Sequence, residues 1–437
     1  MSIISHFNNL TKSKFVKNVI IVASGTAGAQ IITIAFSPMI TRLYGPDTYG
    51  TLGMFLAVVA VVTPISGMSY PIAIVLPKRN SEAEAICRLS IYISVIVASS
   101  CLIILILFKE QIAEIFNIQE VEPFLLLLPL IILFKTWLQV KQQWLIRIKK
   151  FKKTASVTTI QSLVVNIIKV FFGFLKPVAG VLISISIFSD ALQAAMLTHV
   201  HKKPKKSEIN HHISLVDLAK KYSDFPCFRF PQTLINTISQ NLPIVVLAAF
   251  FGPAEAGFFT LCRKILSLPV RLIGQSVSDV FYPKITEAFN NSENFTSIII
   301  RATISLALIG IVPILIVIMF GPMLFKICFG REWLISGEYA RWLAIFVFFQ
   351  LINRPSVAAI PILGLQKGLM VYETFSTSLK IVALYVSYFI FKNDIVTIAS
   401  FSIIGTVCYI VLILWVIKSS KKISSKKVGS IAKNSRR

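Results

Sequence analysis

From residue 19 to residue 417 this chain offers one apolar run after another, each long enough to cross a bilayer as a helix. Lipid provides no partner for a backbone N–H or C=O, so a chain that enters it repeatedly must satisfy those groups internally. Runs of this length do so as helices. Twelve fall at about 19–41, 51–76, 86–108, 122–141, 154–175, 177–198, 223–251, 256–283, 297–320, 339–364, 369–391 and 395–417. The expected fold is therefore an all-α integral membrane protein, and the runs are numbered helix 1 to helix 12. Helix 1 is too long, and too well joined to helix 2, to be a cleaved signal peptide. With 55% of 437 residues hydrophobic and only short polar loops between runs, no soluble domain is left over.

The net charge of +25 would suit a nucleic-acid binder, but its distribution points elsewhere. Lys12, Lys14 and Lys17 precede helix 1, and Lys78 and Arg79 follow helix 2. Arg147, Lys149, Lys150, Lys152 and Lys153 follow helix 4, Lys202 to Lys206 follow helix 6, and Lys418 to Arg437 form a basic tail. Alternate loops are poor in Lys and Arg, and the loop after helix 3 is acidic, with Glu110, Glu114, Glu120 and Glu122. This alternation is the positive-inside pattern of an even number of spans with both termini cytoplasmic, so the partners it implies are membrane lipids and not nucleic acid.

A short motif repeats. Gly45-Pro46 and Gly50 in YGPDTYG recur as Gly252-Pro253 and Gly257 in FGPAEAG, each position 207 residues further on. Both copies lie between the first and second helix of a set of six. The chain thus reads as two six-helix lobes, 1–206 and 207–437, joined by the lysine-rich segment. An even number per repeat makes the repeats parallel, related by a pseudo-twofold along the membrane normal.

Eight cations inside the apolar sequence are singled out: Lys135, Lys169, Arg229, Arg263, Lys264, Arg271, Arg354 and Lys380. Asp190, Glu373 and Asp279 accompany them. A charge at the bilayer centre costs at least about 2.5–3.5 kcal/mol, so these groups must pair, snorkel or line water. Helix 8 arranges Thr260, Lys264, Ser267, Arg271, Gln275, Ser278 and Tyr282 on one face. Helix 7 gives Arg229, Gln232, Asn236 and Ser239, helix 5 gives Thr158, Ser162, Asn166 and Lys169, helix 6 gives Ser186, Asp190 and Gln193, and helix 11 gives Glu373, Ser376 and Lys380. Several helices with one polar stripe each describe a water-filled vestibule. Lys264, Arg271, Arg354 and Lys380 are mid-span, where snorkelling is hardest, and carry the expected site for an anionic cargo. Arg229, Lys169 and Lys135 lie nearer the ends, where snorkelling competes with a role in the lumen. Asp190 lacks an obvious local cation and heads the carboxylates that could couple transport to a proton or sodium gradient, before Glu373 and Asp279.

Catalytic and metal chemistry find little support. His199, His201, His211 and His212 cluster in the lysine-rich loop with no cysteine nearby. The six cysteines show no CxxC pair and read as free thiols. No glycine-rich phosphate cradle precedes a helix, and no paired carboxylates stand out. No cofactor, metal site or enzymatic activity is expected.

The stretch NLPIVVLAAFFGPAEAGFFTLCRKILSLPVRLIGQSVSDVFYPKITEAF resembles the second-half signature of bacterial polysaccharide export proteins. SPMITRLYGPDTYGTLGMFLAVVAVVTPISGMSYPIAIVLPK resembles the opening of the same family. These are the lipid-linked O-antigen flippases of the multidrug/oligosaccharidyl-lipid/polysaccharide exporter superfamily. The resemblance implies an inner-membrane transporter that turns an undecaprenyl-pyrophosphate-linked oligosaccharide repeat unit, of O-antigen or capsule type, from the cytoplasmic to the periplasmic leaflet by alternating access. It also implies a polysaccharide polymerase and a chain-length regulator as partners. Unlike the peptidoglycan-precursor flippases, this chain has no arginine or acidic residue within Val19 to Pro38. Two other readings stay open: a multidrug exporter of the same superfamily, which eight cations against three anions oppose, and a membrane-embedded polysaccharide polymerase, for which the external loops are short.

Overall fold

The computed structural model describes residues 14–115, 117–200, 214–290 and 294–434, with side chains described for all of these except 14–26, 200, 271, 273, 275–280, 282–284, 290 and 425–434. Every regular element among them is helical. A single helical trace, Lys14–Gly67, is broken at Gly45 and holds α1 (14–44) and α2 (46–67). There follow α3 Asn80–Ile115, α4 Leu128–Arg147, α5 Phe151–Leu175, α6 Ala179–Val200, α7 Phe230–Phe250 and α8 Pro253–Asn290. The remaining helices are α9 Phe295–Phe329, α10 Leu334–Ile352 with its continuation Arg354–Ala359, α11 Gln366–Phe391 and α12 Asp394–Asn434. Nine described helices are long and apolar enough to cross a membrane, and a tenth span joins Gln119–Leu125 to Leu128–Arg147 across a 64° bend. Separating α1 from α2 and adding α8 completes the twelve read from the sequence.

Several boundaries move. Helix 2 ends early, at Gly67, because Met68 and Ser69 take left-handed backbone and start a separate short helix, Tyr70–Ala73. Helix 7 begins with a π-turn, Phe225–Arg229. The basic tail after Lys418 continues α12, which runs to Asn434.

The repeated motif is a repeated structure. Gly45 has φ 68° and Gly252 has φ 120°, and each is followed by a proline that opens a helix. A positive φ costs an L-residue roughly 1–2 kcal/mol and costs glycine almost nothing, while proline's fixed φ suits the first helical position.

Packing divides the chain into Met1–Gly257 and Phe258–Arg437. This boundary lies beyond the expected six-plus-six division at 206/207, because α7 lies against the α1–α2 trace. In the first unit that trace also packs on α5, and α4 sits between α3 and α6. In the second, α10 packs on α9 and α12, and α11 on α12. Polar side chains join helices inside: Thr136 Oγ1 donates to Ser66 Oγ at 3.0 Å, Ser162 Oγ to the Ala29 carbonyl at 2.9 Å, and Thr296 Oγ1 to Ser420 Oγ at 3.0 Å. In hydrocarbon such bonds, with small residues at the contacts, supply association that burying leucine cannot. Large apolar side chains face outward instead, among them Ile96, Ile106 and Leu107 on α3 and Leu308, Ile309 and Val312 on α9.

At the end of the first unit that carries the basic loops, Arg147 closes the connection between helices 2 and 3. Its guanidinium donates to the carbonyls of Ile74 at 3.3 Å and Lys78 at 3.4 Å, and to Asn80 Oδ1 at 3.1 Å. A short helix, Leu215–Lys221, is seated beside it. Leu218 is buried with Ile74, Ile86 and Trp144, and the Tyr70 hydroxyl donates to the Ala219 carbonyl at 3.1 Å. Lys221 pairs with Glu82 at 2.5 Å, and Tyr222 donates to the same carboxylate at 3.1 Å. The hydrogen bond to Glu82 raises the Lys221 ammonium above its ordinary value and lowers the Glu82 carboxyl below its own, so the tie is present at neutral pH and is lost as pH rises through the first or falls through the second.

Candidate functional site

The polar stripes read from the sequence have two fates. Those on α5 and α6 are largely used within the bundle. Ser162 holds α1, Asn166 Nδ2 donates to the Ser162 carbonyl at 2.7 Å, and Gln193 Nε2 donates to Thr158 Oγ1 at 3.1 Å. Lys169 is half-buried, and its carbonyl accepts from the Tyr44 hydroxyl at 2.8 Å. Ser162 and Gln193 thus fasten helices together, while the Asn166 bond stays within α5 and Lys169 makes its contact through its backbone. Nothing in the apolar/polar spacing separates the two cases, because a stripe facing a neighbouring helix and one facing water have the same period.

Lys135 and Asp190 come together. Lys135 Nζ lies 2.8 Å from Asp190 Oδ2, joining α4 to α6. Asp190 has no cation near it in sequence, and pairing across helices with a lysine supplies one: the partner is 55 residues away in sequence and on a neighbouring helix. Lys135 also edges a cavity of about 570 Å³ in the first unit. Gln139 and Gln143 follow it at four-residue steps on α4, α2 supplies Thr63, and α7 supplies Thr233 and Thr237. The two glutamines went unnoticed in the sequence because an uncharged amide near a basic loop resembles ordinary interfacial surface. Arg229 lies on the π-turn that precedes α7 and is exposed, with its carbonyl accepting from Thr233 Oγ1 at 2.8 Å.

In the second unit Arg354, Lys380 and Glu373 gather around the middle of α12. Lys380 is buried on α11, and Glu373 and Cys408 are close enough to act on its charge. Its chain passes Gly405, where a Cβ would lie 3.7 Å from Lys380 Cδ. Arg354 stands at the break between Ile352 and Pro355 in α10, with the Tyr409 hydroxyl near enough to act on it. Its guanidinium rests on bare helix backbone: a Cβ at Gly274 of α8 would come within 3.0 Å of Nε. Arg354 Nε is buried and has no hydrogen-bond partner among the described residues, and the same holds for Asn353 Oδ1 and Ser356 Oγ beside it. A buried donor left unanswered costs about 1–3 kcal/mol, and more on a charged group, so an incoming acceptor is favoured there. Tyr372 and Tyr409 join this cluster without having been singled out, since a lone tyrosine in an apolar helix reads as core.

Lys264 and Arg263 are both half-buried on α8, and Ser267 Oγ donates to the Lys264 carbonyl at 3.1 Å. The side chains of Arg271 and Asp279 lie outside the described residues.

A twelve-helix bundle with charged groups held inside its apolar helices defines a multi-pass membrane protein, and comparison with known folds agrees. The chain is similar to a multidrug resistance MATE family transporter of the MOP superfamily in its inward-facing conformation, with a TM-score of 0.69, 14% identity and coverage of 90% of this chain and 96% of that one. It is also similar to the lipid II flippase MurJ in an inward closed conformation, with a TM-score of 0.73, 16% identity and coverage of 94% and 91%. At these identities the likeness shows the fold. Residues 39–338 match the polysaccharide biosynthesis protein family, and the chain belongs to that family. A relative, the succinoglycan biosynthesis transport protein ExoT of Rhizobium meliloti, is 20% identical over 280 residues, which cover 64% of this chain and 55% of that protein.

Proposed function

We propose that this protein is a flippase for lipid-linked oligosaccharide repeat units, of the O-antigen or capsule type, and not an enzyme. The observation that carries the reading is the buried guanidinium of Arg354, with an unanswered Nε, in one cluster with buried Lys380 inside a transporter fold of a polysaccharide family. A pyrophosphate offers the acceptors that a guanidinium fork matches best. Lys264 and Arg271, two turns apart on α8 and about 10 Å along its axis, extend the anion site in sequence. The carrier is undecaprenyl pyrophosphate, the membrane is the bacterial inner membrane with both termini cytoplasmic, and movement between leaflets is driven by a proton or sodium gradient. Asp190, Glu373 and Asp279 are the candidate coupling carboxylates. A polymerase and a chain-length regulator would act on the delivered units. A multidrug exporter for organic cations is disfavoured by eight cations against three carboxylates in the apolar sequence, of which Asp190 is engaged by Lys135. Deleting the gene should strand lipid-linked repeat units on the cytoplasmic leaflet, measured by lipid extraction with a sidedness assay. Units that reach the outer leaflet normally in the deletion strain would reject the proposal.

A further inference from the structure

We infer that the cavity bounded by α2, α4 and α7 is a subsite for uncharged sugar rings, an inference that rests on the flippase reading and names what its first unit recognises. At about 570 Å³ the cavity is within the usual size of ligand pockets, roughly 300–1,000 Å³. Its one ammonium, on Lys135, is neutralised at 2.8 Å by Asp190. An anion finds no free positive charge here, and an organic cation finds no free carboxylate.

What remains is a set of neutral hydrogen-bonding groups beside aliphatic carbon. Gln139 and Gln143 are half-buried and make no hydrogen bond among the described residues, so both amides can donate and accept. The hydroxyls of Thr63, Thr233 and Thr237 each donate to the carbonyl four residues back in their own helix, at 2.6, 2.8 and 2.7 Å. Their protons are thereby committed, and their oxygens turn toward the cavity as acceptors. Beside them α2 and the short helix Tyr70–Ala73 add aliphatic side chains to the lining, Leu56, Val59, Pro64 and Ile72. A pyranose has the matching chemistry: hydroxyls around its rim that both donate and accept, and C–H groups on its faces.

Within the first unit this cavity answers the neutral glycan of the cargo. Its place along α4 is consistent with loading, because Gln143 lies one turn before Arg147, the residue that holds the loop between helices 2 and 3.

The test uses full-length protein in lipid nanodiscs and saturation-transfer NMR with methyl α-glucoside, methyl α-galactoside and N-acetylglucosamine, against glucuronate as the charged probe. The neutral sugars should bind saturably and compete with one another. Gln139→Leu combined with Gln143→Leu should weaken them about tenfold, the loss expected of two hydrogen-bonding groups, while Arg301→Ala on exposed α9 surface should change nothing. If the double variant does not fold, Thr233→Val and Thr237→Val read the opposite wall and should each weaken binding. Absence of saturable binding, binding indifferent to both walls, or glucuronate bound as tightly through the same glutamines would each overturn the subsite. The two readings fail separately. Accumulation of lipid-linked units in the deletion strain without sugar binding rejects the subsite alone, and sugar binding without accumulation rejects the flippase alone.

Discussion

Gly50 and Gly257 face each other across the two Gly-Pro turns, and at each the proline carbonyl of the other turn fills the space a side chain would need. A Cβ on Gly50 would come within 1.7 Å of the Pro253 carbonyl oxygen, and a Cβ on Gly257 within 2.1 Å of that of Pro46. In both cases the amide nitrogen of the other glycine would lie at 3.0 Å. The 207-residue repeat therefore packs against itself, copy on copy, with backbones in direct contact. Close approach of this kind is how small residues hold helices together where lipid removes the hydrophobic drive.

Gly50→Ala and Gly257→Ala should each destabilise the protein by at least about 1–3 kcal/mol, the cost of overpacking against atoms that cannot rotate away. Because the contact is reciprocal, the two losses should be similar, and the double variant should lose less than their sum. Thermal unfolding of purified protein in detergent measures this. A Gly50→Ala protein as stable as the parent would refute the contact.

Asp190→Ala and Lys135→Ala should each cost about 1–3 kcal/mol, the range for a hydrogen bond to a charged group that is mostly out of water. Removing both should cost less than removing either, since neither charge is then left alone. A separate variant tests coupling: if Asp190→Asn retains full gradient-dependent transport in vesicles, the coupling role belongs elsewhere than Asp190.

Arg354→Ala should abolish surface polysaccharide at normal protein level, and Arg354→Lys should restore only part of it, because a point charge does not reproduce the planar fork. Gly274→Val should reproduce the defect by forcing the guanidinium off the α8 backbone. Arg271→Ala should be as severe, whereas Arg263→Ala, nearly 100° away from Lys264 around the helix, should be mild. Equal damage at 263 and 271, with both proteins stably inserted, would reverse the assignment of the α8 faces.

Topology is open to labelling in a cysteine-free background. A cysteine at Ile115, which is exposed at the end of α3, should react with impermeant maleimide from outside the cytoplasmic membrane. One at Pro204 should react only after permeabilisation. Reaction of the second without permeabilisation would invert the orientation and the positive-inside argument with it.

The sequence by itself determined that the chain is a bundle of twelve membrane helices, since about 20 apolar residues in a row can be satisfied in lipid in only one way. It also marked both Gly-Pro turns, because Gly45 and Gly252 are residues whose backbone conformation the side chain itself permits. It singled out Lys264, Arg271, Arg354 and Lys380, since a charge that cannot snorkel must be housed inside. Tertiary structure alone decided which polar stripes were glue and which were surface: Ser162 and Asn166 turn toward α1, while Gln139 and Gln143 turn toward a cavity, at the same helical period. It alone found Lys135 for Asp190 and set Arg354 upon Gly274. Partners on different helices are chosen by how the helices pack, and periodicity along a single helix carries no record of that choice.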